Sequence, residues 1–188
     1  MAETTSSPCR PTTRRLYTWE IDQARLVFGG ALNYQRIRIH ECATWVNTLD
    51  RIGRKLKGMP APETNNAVTL GNHIFFPLRL PLELPATDHP LFHQMGWLIH
   101  ELTHCWQYQR MGWKYLFLAL KAQLRLRERA YDFGGAAAIS KSPTVEKKLI
   151  RYNLEQQGEI ARQYYEHVRR GEDTLAWQPL VEEFQRLA

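Results

Sequence analysis

The spacing of hydrophobic residues changes along the chain. Residues 20–28 follow the helical repeat and run into two glycines, so we predict a helix that ends there. Residues 34–40 instead alternate apolar and polar side chains, which predicts a half-exposed strand with Ile37 and Ile39 on its buried face. The chain is therefore predicted to begin with a helix followed by a strand.

The next apolar segments, 67–70 and 73–76, flank the turn dipeptide Gly71-Asn72, which predicts either a strand or a hairpin. Helical periodicity dominates the second half of the chain. It predicts helices at 88–111, 113–129, 144–170 and 176–187. Strands early and helices late indicate the α+β class.

The length and composition suit one globular domain. The chain has 188 residues, and we place the domain at 16–188, behind a disordered leader at 1–15 that is rich in Ser, Thr and Pro. The apolar run at 115–120 is far shorter than the roughly 20 residues of a membrane-spanning helix, so no membrane span is expected. The leader lacks the apolar stretch of a signal peptide, which predicts synthesis in the cytoplasm.

Charge and cysteine content narrow the choice of partners. The net charge of +6 suits nucleic acid or an anionic surface, but no nucleic-acid-binding motif accompanies it, so a nucleic-acid partner is not expected. The three cysteines, Cys9, Cys42 and Cys105, are odd in number and far apart. We therefore expect neither a disulfide framework nor a cysteine zinc site.

The predicted helix 88–111 contains HELTH at 100–104, an HExxH motif. Helix residues four apart lie one turn above each other, so His100 and His104 can bind one metal ion with Glu101 beside it. Zinc held by two histidines and a third protein ligand keeps one position for water, from which Glu101 can accept a proton. The motif therefore predicts one zinc ion per chain, with Glu101 as the catalytic residue.

The third ligand must come from outside the motif. The metzincin pattern is excluded, because Gln107 and Arg110 stand where that class has Gly and His. Glu155 and Glu159 lie four apart in the predicted helix 144–170 and share a face. One can ligate zinc while the other accepts a hydrogen bond from a ligating imidazole, and we favour Glu155 as the ligand. The more distant alternatives are His167 and Glu128.

Other residues are candidates for supporting roles. Substrate contact is considered for His93, with a packed or hydrogen-bonded histidine as the favoured alternative. Stabilisation of an oxyanion is considered for Tyr131, Tyr164 and Tyr165, with packing in the core as the favoured alternative. Gly158 is expected to let two helices approach closely. The segment 67–76 is expected either to hold an extended peptide along an edge strand or to be an ordinary strand of the sheet.

Five stretches resemble the zincin-like metallopeptidase domains associated with Vgr and Rhs proteins, type VI secretion and contractile injection systems. They are WLIHELTHCWQYQ at 97–109, EQQGE at 155–159, ARLVFG at 24–29, RIRIH at 36–40 and TLGNHI at 69–74. The resemblance implies a mostly helical zincin-like fold with a small N-terminal sheet beside the HExxH helix. It also implies a gluzincin-type site with zinc on His100, His104 and Glu155. Glu101 is then the base, and Glu159 stands where gluzincins usually carry Asp.

The resemblance further implies a biological role. Domains of this group are often toxic effectors or parts of injected particles, and they are delivered without a signal peptide. The expected function is zinc-dependent peptide hydrolysis by a bacterial toxin that is made in the cytoplasm and secreted by a contractile system into a target cell. The expected partners are a peptide or protein substrate, a carrier of the Vgr or Rhs type and an immunity protein. The alternative is a catalytically silent, zinc-containing binding module of a secretion particle.

Overall fold

The computed structural model describes residues 9–46, 66–115, 131–141 and 148–186. This part of the chain forms one four-stranded sheet and five α-helices. The strands are β1 (Thr12–Arg14), β2 (Arg38–Glu41), β3 (Val68–Leu70) and β4 (His73–Phe75). The helices are α1 (Thr18–Phe28), α2 (Phe92–Met111), α3 (Gly135–Lys141), α4 (Leu154–Arg170) and α5 (Gln178–Gln185). This mixture is compatible with the α+β class.

The sheet has the strand order β1-β2-β4-β3, with β2 and β4 parallel and the two outer pairs antiparallel. β3 and β4 form a hairpin, in which Leu70 pairs with His73 across Gly71-Asn72. Gly71 has a φ of 66°, a left-handed conformation that glycine adopts without strain. Of the two alternatives predicted for this segment, strand or hairpin, the structure shows the hairpin, and β3 lies at one end of the sheet.

The first predicted helix and strand are also present, with shifted bounds. α1 ends at the residue before Gly29, as expected. In the segment predicted as a strand, Tyr34–Arg36 forms a 3-10 turn instead, and the strand itself begins at Arg38. Ile37 and Ile39 are fully buried, which confirms the predicted core face.

Ordered structure begins before residue 16, where we expected the domain to start. Residues 12–14 form β1, which pairs with β2, so the predicted disordered leader is wrong for these residues. The Arg14 guanidinium lies 2.7 Å from the carboxylate of Glu20 and 2.9 Å from that of Glu41, and both carboxylates are buried. Buried carboxylates need a cationic partner, which stabilises the pairing of β1 with the sheet. The polar composition of the leader does not reveal partners so distant in sequence.

Cys9 and Cys42 form a disulfide, contrary to the expectation from cysteine number and spacing. Their Cα atoms lie 5.6 Å apart although 33 residues separate them. The antiparallel pairing of β1 with β2 brings the segment before β1 next to the end of β2. Cys105 is a free, buried thiol in α2.

α2 packs against α4 and carries the HExxH motif into the interior. It begins at Phe92, later than the predicted residue 88, and Pro90 in the preceding turn has no N–H to donate. It ends as predicted before Gly112, whose N–H donates to the Tyr108 carbonyl. Among the helices that the structure describes, none combines the length and apolar character needed to cross a membrane.

α4 is shorter than the predicted helix 144–170. The side chain of Asn153 accepts from the Gln156 N–H at 3.0 Å, and the side chain of Gln156 accepts from the Asn153 N–H at 3.0 Å. This capping box starts the helix at Leu154 and places Glu155 in its first turn. The segment Leu149–Arg151 is a 3-10 turn, and residues 142–147 lie outside the described part.

The remaining helix predictions have mixed outcomes. α3 was not predicted. The predicted helix 176–187 is divided into a 3-10 turn, Leu175–Trp177, and α5. The predicted helix 113–129 lies largely outside the described residues.

Candidate metal centre

The two histidines and the glutamate of the HExxH motif are buried in α2. His100, Glu101 and His104 are 6%, 5% and 8% exposed. The two histidines are four positions apart in the helix, and their ring centroids lie 5.0 Å apart. Both imidazoles therefore face the same region between α2 and α4.

Glu155 of α4 completes a three-residue cluster. Its Oε2 lies 3.4 Å from Nε2 of His100 and 3.4 Å from Nε2 of His104. Zinc bonds of about 2.0–2.1 Å in a tetrahedron place the ligand atoms about 3.3 Å apart, so these separations suit one zinc ion. One donor atom from each residue lies within 4.8 Å of the others, and all three residues are buried. The structure thus brings together the three residues predicted as ligands.

Gly158 allows the close approach of α4 to α2 at this cluster. A Cβ atom at this position would lie 2.7 Å from Cε1 and 2.8 Å from Nδ1 of His100, closer than real Cβ contacts. The expectation that Gly158 permits close packing is confirmed.

We predict that Gly158→Ala destabilises the fold by about 1–3 kcal/mol, the usual cost of overpacking, and weakens zinc binding. The added methyl must displace either the His100 ring or the helix. Chemical denaturation and zinc titration measure the two effects. Gly30→Ala is the matched control, because a Cβ there meets no atom within 4 Å. Equal stability and zinc affinity of Gly158→Ala and Gly30→Ala would contradict the packing argument.

Glu159 lies at the Nδ1 side of the His100 ring, whereas Glu155 lies at its Nε2 side. The Nδ1–H of His100 points to Glu159 Oε1 at 3.1 Å, while Arg162 donates to Glu159 Oε2 at 2.6 Å. The arginine holds a carboxylate that is one methylene longer than aspartate. Glu159 therefore occupies the place expected for a partner of a ligand histidine, and Nε2 of His100 faces Glu155.

Gln107 contacts the Nδ1 atom of His104 in the way that Glu159 contacts the Nδ1 atom of His100. This role of Gln107 was not predicted from the sequence. Its Oε1 lies 2.9 Å from Nδ1 of His104, and the residue is fully buried. The available clue was its position three residues after His104, on the same helix face.

Thr69 of β3 is a second residue of the candidate site that was not predicted from the sequence. Its hydroxyl donates to Oε2 of Glu101 at 2.6 Å. The Tyr115 hydroxyl, which donates to the Thr69 carbonyl at 2.8 Å, supports this part of the hairpin. Glu101 and Thr69 are 32 residues apart, so no local pattern indicates the contact.

Burial and nearby carboxylates act in opposite directions on the two histidines. Burial lowers the pKa of His100, but its contacts with Glu155 and Glu159 outweigh burial and raise the pKa to about 10. His104 behaves similarly, because Glu155 raises its pKa against the effect of burial. Burial alone would raise the pKa of Glu155, yet the two histidines hold it well below its usual range. A metal that binds here must therefore displace protons from the histidines.

Tyr131 is the one predicted auxiliary residue that lies near the cluster. Its ring centroid is 6.2 Å from that of His100, and its side chain is 40% exposed. Tyr165 is buried elsewhere, where its hydroxyl donates to Gln23 and accepts from Arg169, so its predicted site role is not supported.

The other remote candidates are also held away from the cluster. His93 is exposed at the start of α2, and its Nδ1–H donates to the Pro90 carbonyl at 2.6 Å. His167 pairs with Glu172 near the C-terminal end of α4, which excludes it as a ligand together with Glu155. Glu128 lies outside the described residues.

The chain thus presents a helix-borne candidate metal centre of two histidines and one glutamate beside the end strand of a small sheet. It is similar to the type VI secretion system spike protein VgrG2b of Pseudomonas aeruginosa strain PAO1, with 30% identity over 152 residues. The match covers 81% of this chain but 13% of the spike protein, so the chain spans a small part of that relative. No family model and no solved structure matches the chain.

Proposed function

We propose that this chain is a zinc-dependent peptidase domain that acts with a type VI secretion system or a related contractile injection system. The observation that carries the proposal is the buried cluster of His100, His104 and Glu155 with Glu101 beside it. The link to type VI secretion is supported by the similarity of most of the chain to a spike protein of that system.

The donor set fits zinc. Nδ1 of His100 contacts Glu159, and Nδ1 of His104 contacts Gln107, so that Nε2 of each ring faces Glu155 and is the nitrogen available to a metal once its proton is displaced. Two imidazoles and one carboxylate are the protein ligands of a common class of catalytic zinc sites. When bound, zinc supplies Lewis-acid polarisation of a carbonyl and a lowered pKa for water.

Glu101 is suited to act as the base. It lies close enough to both histidines to raise their pKa values. The Thr69 hydroxyl holds one oxygen of the Glu101 carboxylate and limits its rotation. We assign Glu101 to accept a proton from the attacking water and to deliver it to the leaving amine.

The end strand β3 offers a place for an extended peptide. Within the described residues it pairs only with β4, and Thr69 connects it directly to Glu101. A peptide that adds to this edge by backbone hydrogen bonds would run past the candidate centre. We assign the partly exposed Tyr131, beside His100, to contact the developing oxyanion.

Delivery to another cell or compartment agrees with the disulfide. Disulfides persist in oxidising compartments, so the Cys9–Cys42 bond favours action outside a reducing cytoplasm. In this proposal the chain is made in a bacterial cytoplasm and secreted by the contractile system with a carrier of the Vgr or Rhs type. A cognate immunity protein would protect the producing cell.

A second candidate function is a binding module in which zinc has a structural role and no substrate is cleaved. It is favoured by the similarity to VgrG2b, which is a spike protein of a type VI secretion system. The two candidates differ in whether the metal centre turns over a substrate.

We predict metal-dependent cleavage of unstructured polypeptides by the purified chain. Casein and a mixed peptide library are incubated with the protein, and products are identified by mass spectrometry. The chelator 1,10-phenanthroline should abolish cleavage, and added zinc should restore it. The isomer 1,7-phenanthroline, which does not chelate zinc, is the control and should have no effect. Full zinc occupancy without any cleavage would favour the binding module.

A further inference from the structure

Gln107 and Gln157 form a buried pair of amides behind His104. Gln107 is fully buried and Gln157 is 8% exposed. The Nε2 group of Gln107 donates to Gln157 Oε1 at 3.0 Å. Two buried amides in contact are costly unless both ends of each find partners, so their orientations are strongly constrained.

Backbone carbonyls determine the orientation of Gln157. Its Nε2 donates to the carbonyl of Leu149 at 3.0 Å and to that of Tyr152 at 3.1 Å. Carbonyls only accept, so the NH₂ end must face them. The Oε1 end of Gln157 is therefore presented to Gln107.

The same logic then orients Gln107. Its Nε2 meets two acceptors, Gln157 Oε1 and the carbonyl of Leu154, each at 3.0 Å. Its Oε1 is consequently the end that faces Nδ1 of His104 at 2.9 Å. An oxygen at this position accepts, so the Nδ1 of His104 must carry a proton, and its Nε2 is the nitrogen left for a metal.

We propose that Gln107 and Gln157 are positioning residues that set the tautomer and the ring orientation of His104. Because Gln107 also binds the carbonyl of Leu154, the residue before Glu155, one amide holds two of the candidate ligands in register. The Nδ1 atom of His100 contacts a carboxylate, that of Glu159. The Nδ1 atom of His104 instead contacts a neutral amide, Gln107, which Gln157 orients, and we call this pair of glutamines the relay. The inference rests on the proposed zinc site, but it concerns metal binding and makes no claim about peptide cleavage.

The test is Gln107→Met, which keeps the length and approximate volume of the side chain and removes its hydrogen bonds. Zinc affinity is measured by competition with a chromophoric chelator. We expect a loss of about 10- to 100-fold, the usual effect of removing a partner of a ligand histidine. In NMR spectra of the zinc-loaded protein, the Nδ1 proton of His104 should be protected from exchange in the wild type and unprotected in the variant. The corresponding proton of His100 should stay protected in both.

Gln109→Met is the matched control. Gln109 lies on the same helix and its Nε2 also donates to an oxygen of another side chain, Asn72 Oδ1 at 2.7 Å, away from the candidate ligands. Its zinc affinity should equal that of the wild type. A loss of affinity as large in Gln109→Met as in Gln107→Met would assign the effect to general destabilisation and overturn the proposal.

Gln157→Met provides a second variant should Gln107→Met fail to fold. It leaves the contact between Gln107 and His104 in place but removes the group that orients Gln107, so we expect a smaller loss of affinity. The double variant should bind zinc no more weakly than Gln107→Met, because the two residues act in series. Additive losses, or wild-type affinity in both single variants, would overturn the relay.

The outcomes separate this inference from the proposed function. Zinc binding that depends on Gln107 without peptide cleavage would reject the peptidase and retain the relay. Peptide cleavage with zinc binding that is insensitive to Gln107 and Gln157 would reject the relay and retain the peptidase. A wild-type protein that binds no zinc would overturn both.

Discussion

Replacement of Glu101 by glutamine should leave zinc binding and folding intact and lower peptide turnover by about 10²- to 10⁴-fold. The amide has the same size as the carboxylate and can still accept the hydrogen bond from Thr69. It cannot take up a proton from water, so the acid–base step is lost. This variant therefore separates a catalyst from a scaffold that merely contains zinc.

Turnover, zinc content and toxicity are the three measurements for Glu101→Gln. For toxicity, the protein is produced in a bacterial cell with and without an export signal, and the wild type should harm cells when exported. Glu182→Gln is the control, because Glu182 is an exposed residue of α5. If Glu101→Gln were as toxic as the wild type at equal expression, hydrolysis would not be the harmful act. The binding module would then be the better account.

Removal of a ligand should have a different signature, in which zinc itself is lost. Loss of a residue that hydrogen-bonds a ligand histidine weakens metal binding by at most about 100-fold. His104→Ala and Glu155→Ala each remove a candidate ligand and should weaken zinc binding by more than this. Glu159→Ala should stay within that range, because Glu159 contacts His100 from the side away from Glu155. The order of zinc affinities thus distinguishes ligands from their partners.

Zinc per chain is measured on purified proteins after dialysis against zinc-free buffer. His93→Ala is the matched control, because His93 lies on the same helix but is exposed and contacts the Pro90 carbonyl. It should retain wild-type occupancy. Full occupancy in His104→Ala would refute the ligand assignment, and equal deficits in Glu155→Ala and Glu159→Ala would leave the third ligand undecided between them.

Spacing along the chain was enough to predict the local part of the candidate centre. The HExxH motif lies in a helix, and helical geometry places His100 and His104 on one face whatever the rest of the fold does. The Gly71-Asn72 turn is equally local, since two residues determine the register of the hairpin. The EQQGE segment pointed to Glu155, although it offered two carboxylates on one face.

Tertiary structure determines which of those two carboxylates lies at the Nε2 atoms of both histidines. Only the packing of α4 on α2, with Gly158 against the His100 ring, puts Glu155 near both Nε2 atoms and Glu159 near Nδ1 of His100. The start of α4 contributes as well. The capping box at Asn153 sets the first turn that carries Glu155, whereas helical periodicity alone extended the predicted helix to residue 144.

By itself, then, the sequence determined which side chains lie close together within one helix or one hairpin. Backbone geometry alone fixes the distance between residues one helical turn apart and between residues paired across a tight hairpin turn. It did not determine β1, the Cys9–Cys42 disulfide, the Thr69 contact to Glu101 or the relay from Gln157 to His104. Each of these joins segments that are distant in sequence or depends on the carbonyls of another segment. Hydrophobic periodicity predicts which face of a helix or strand is buried, but the residues that pack against that face are determined only by the tertiary structure.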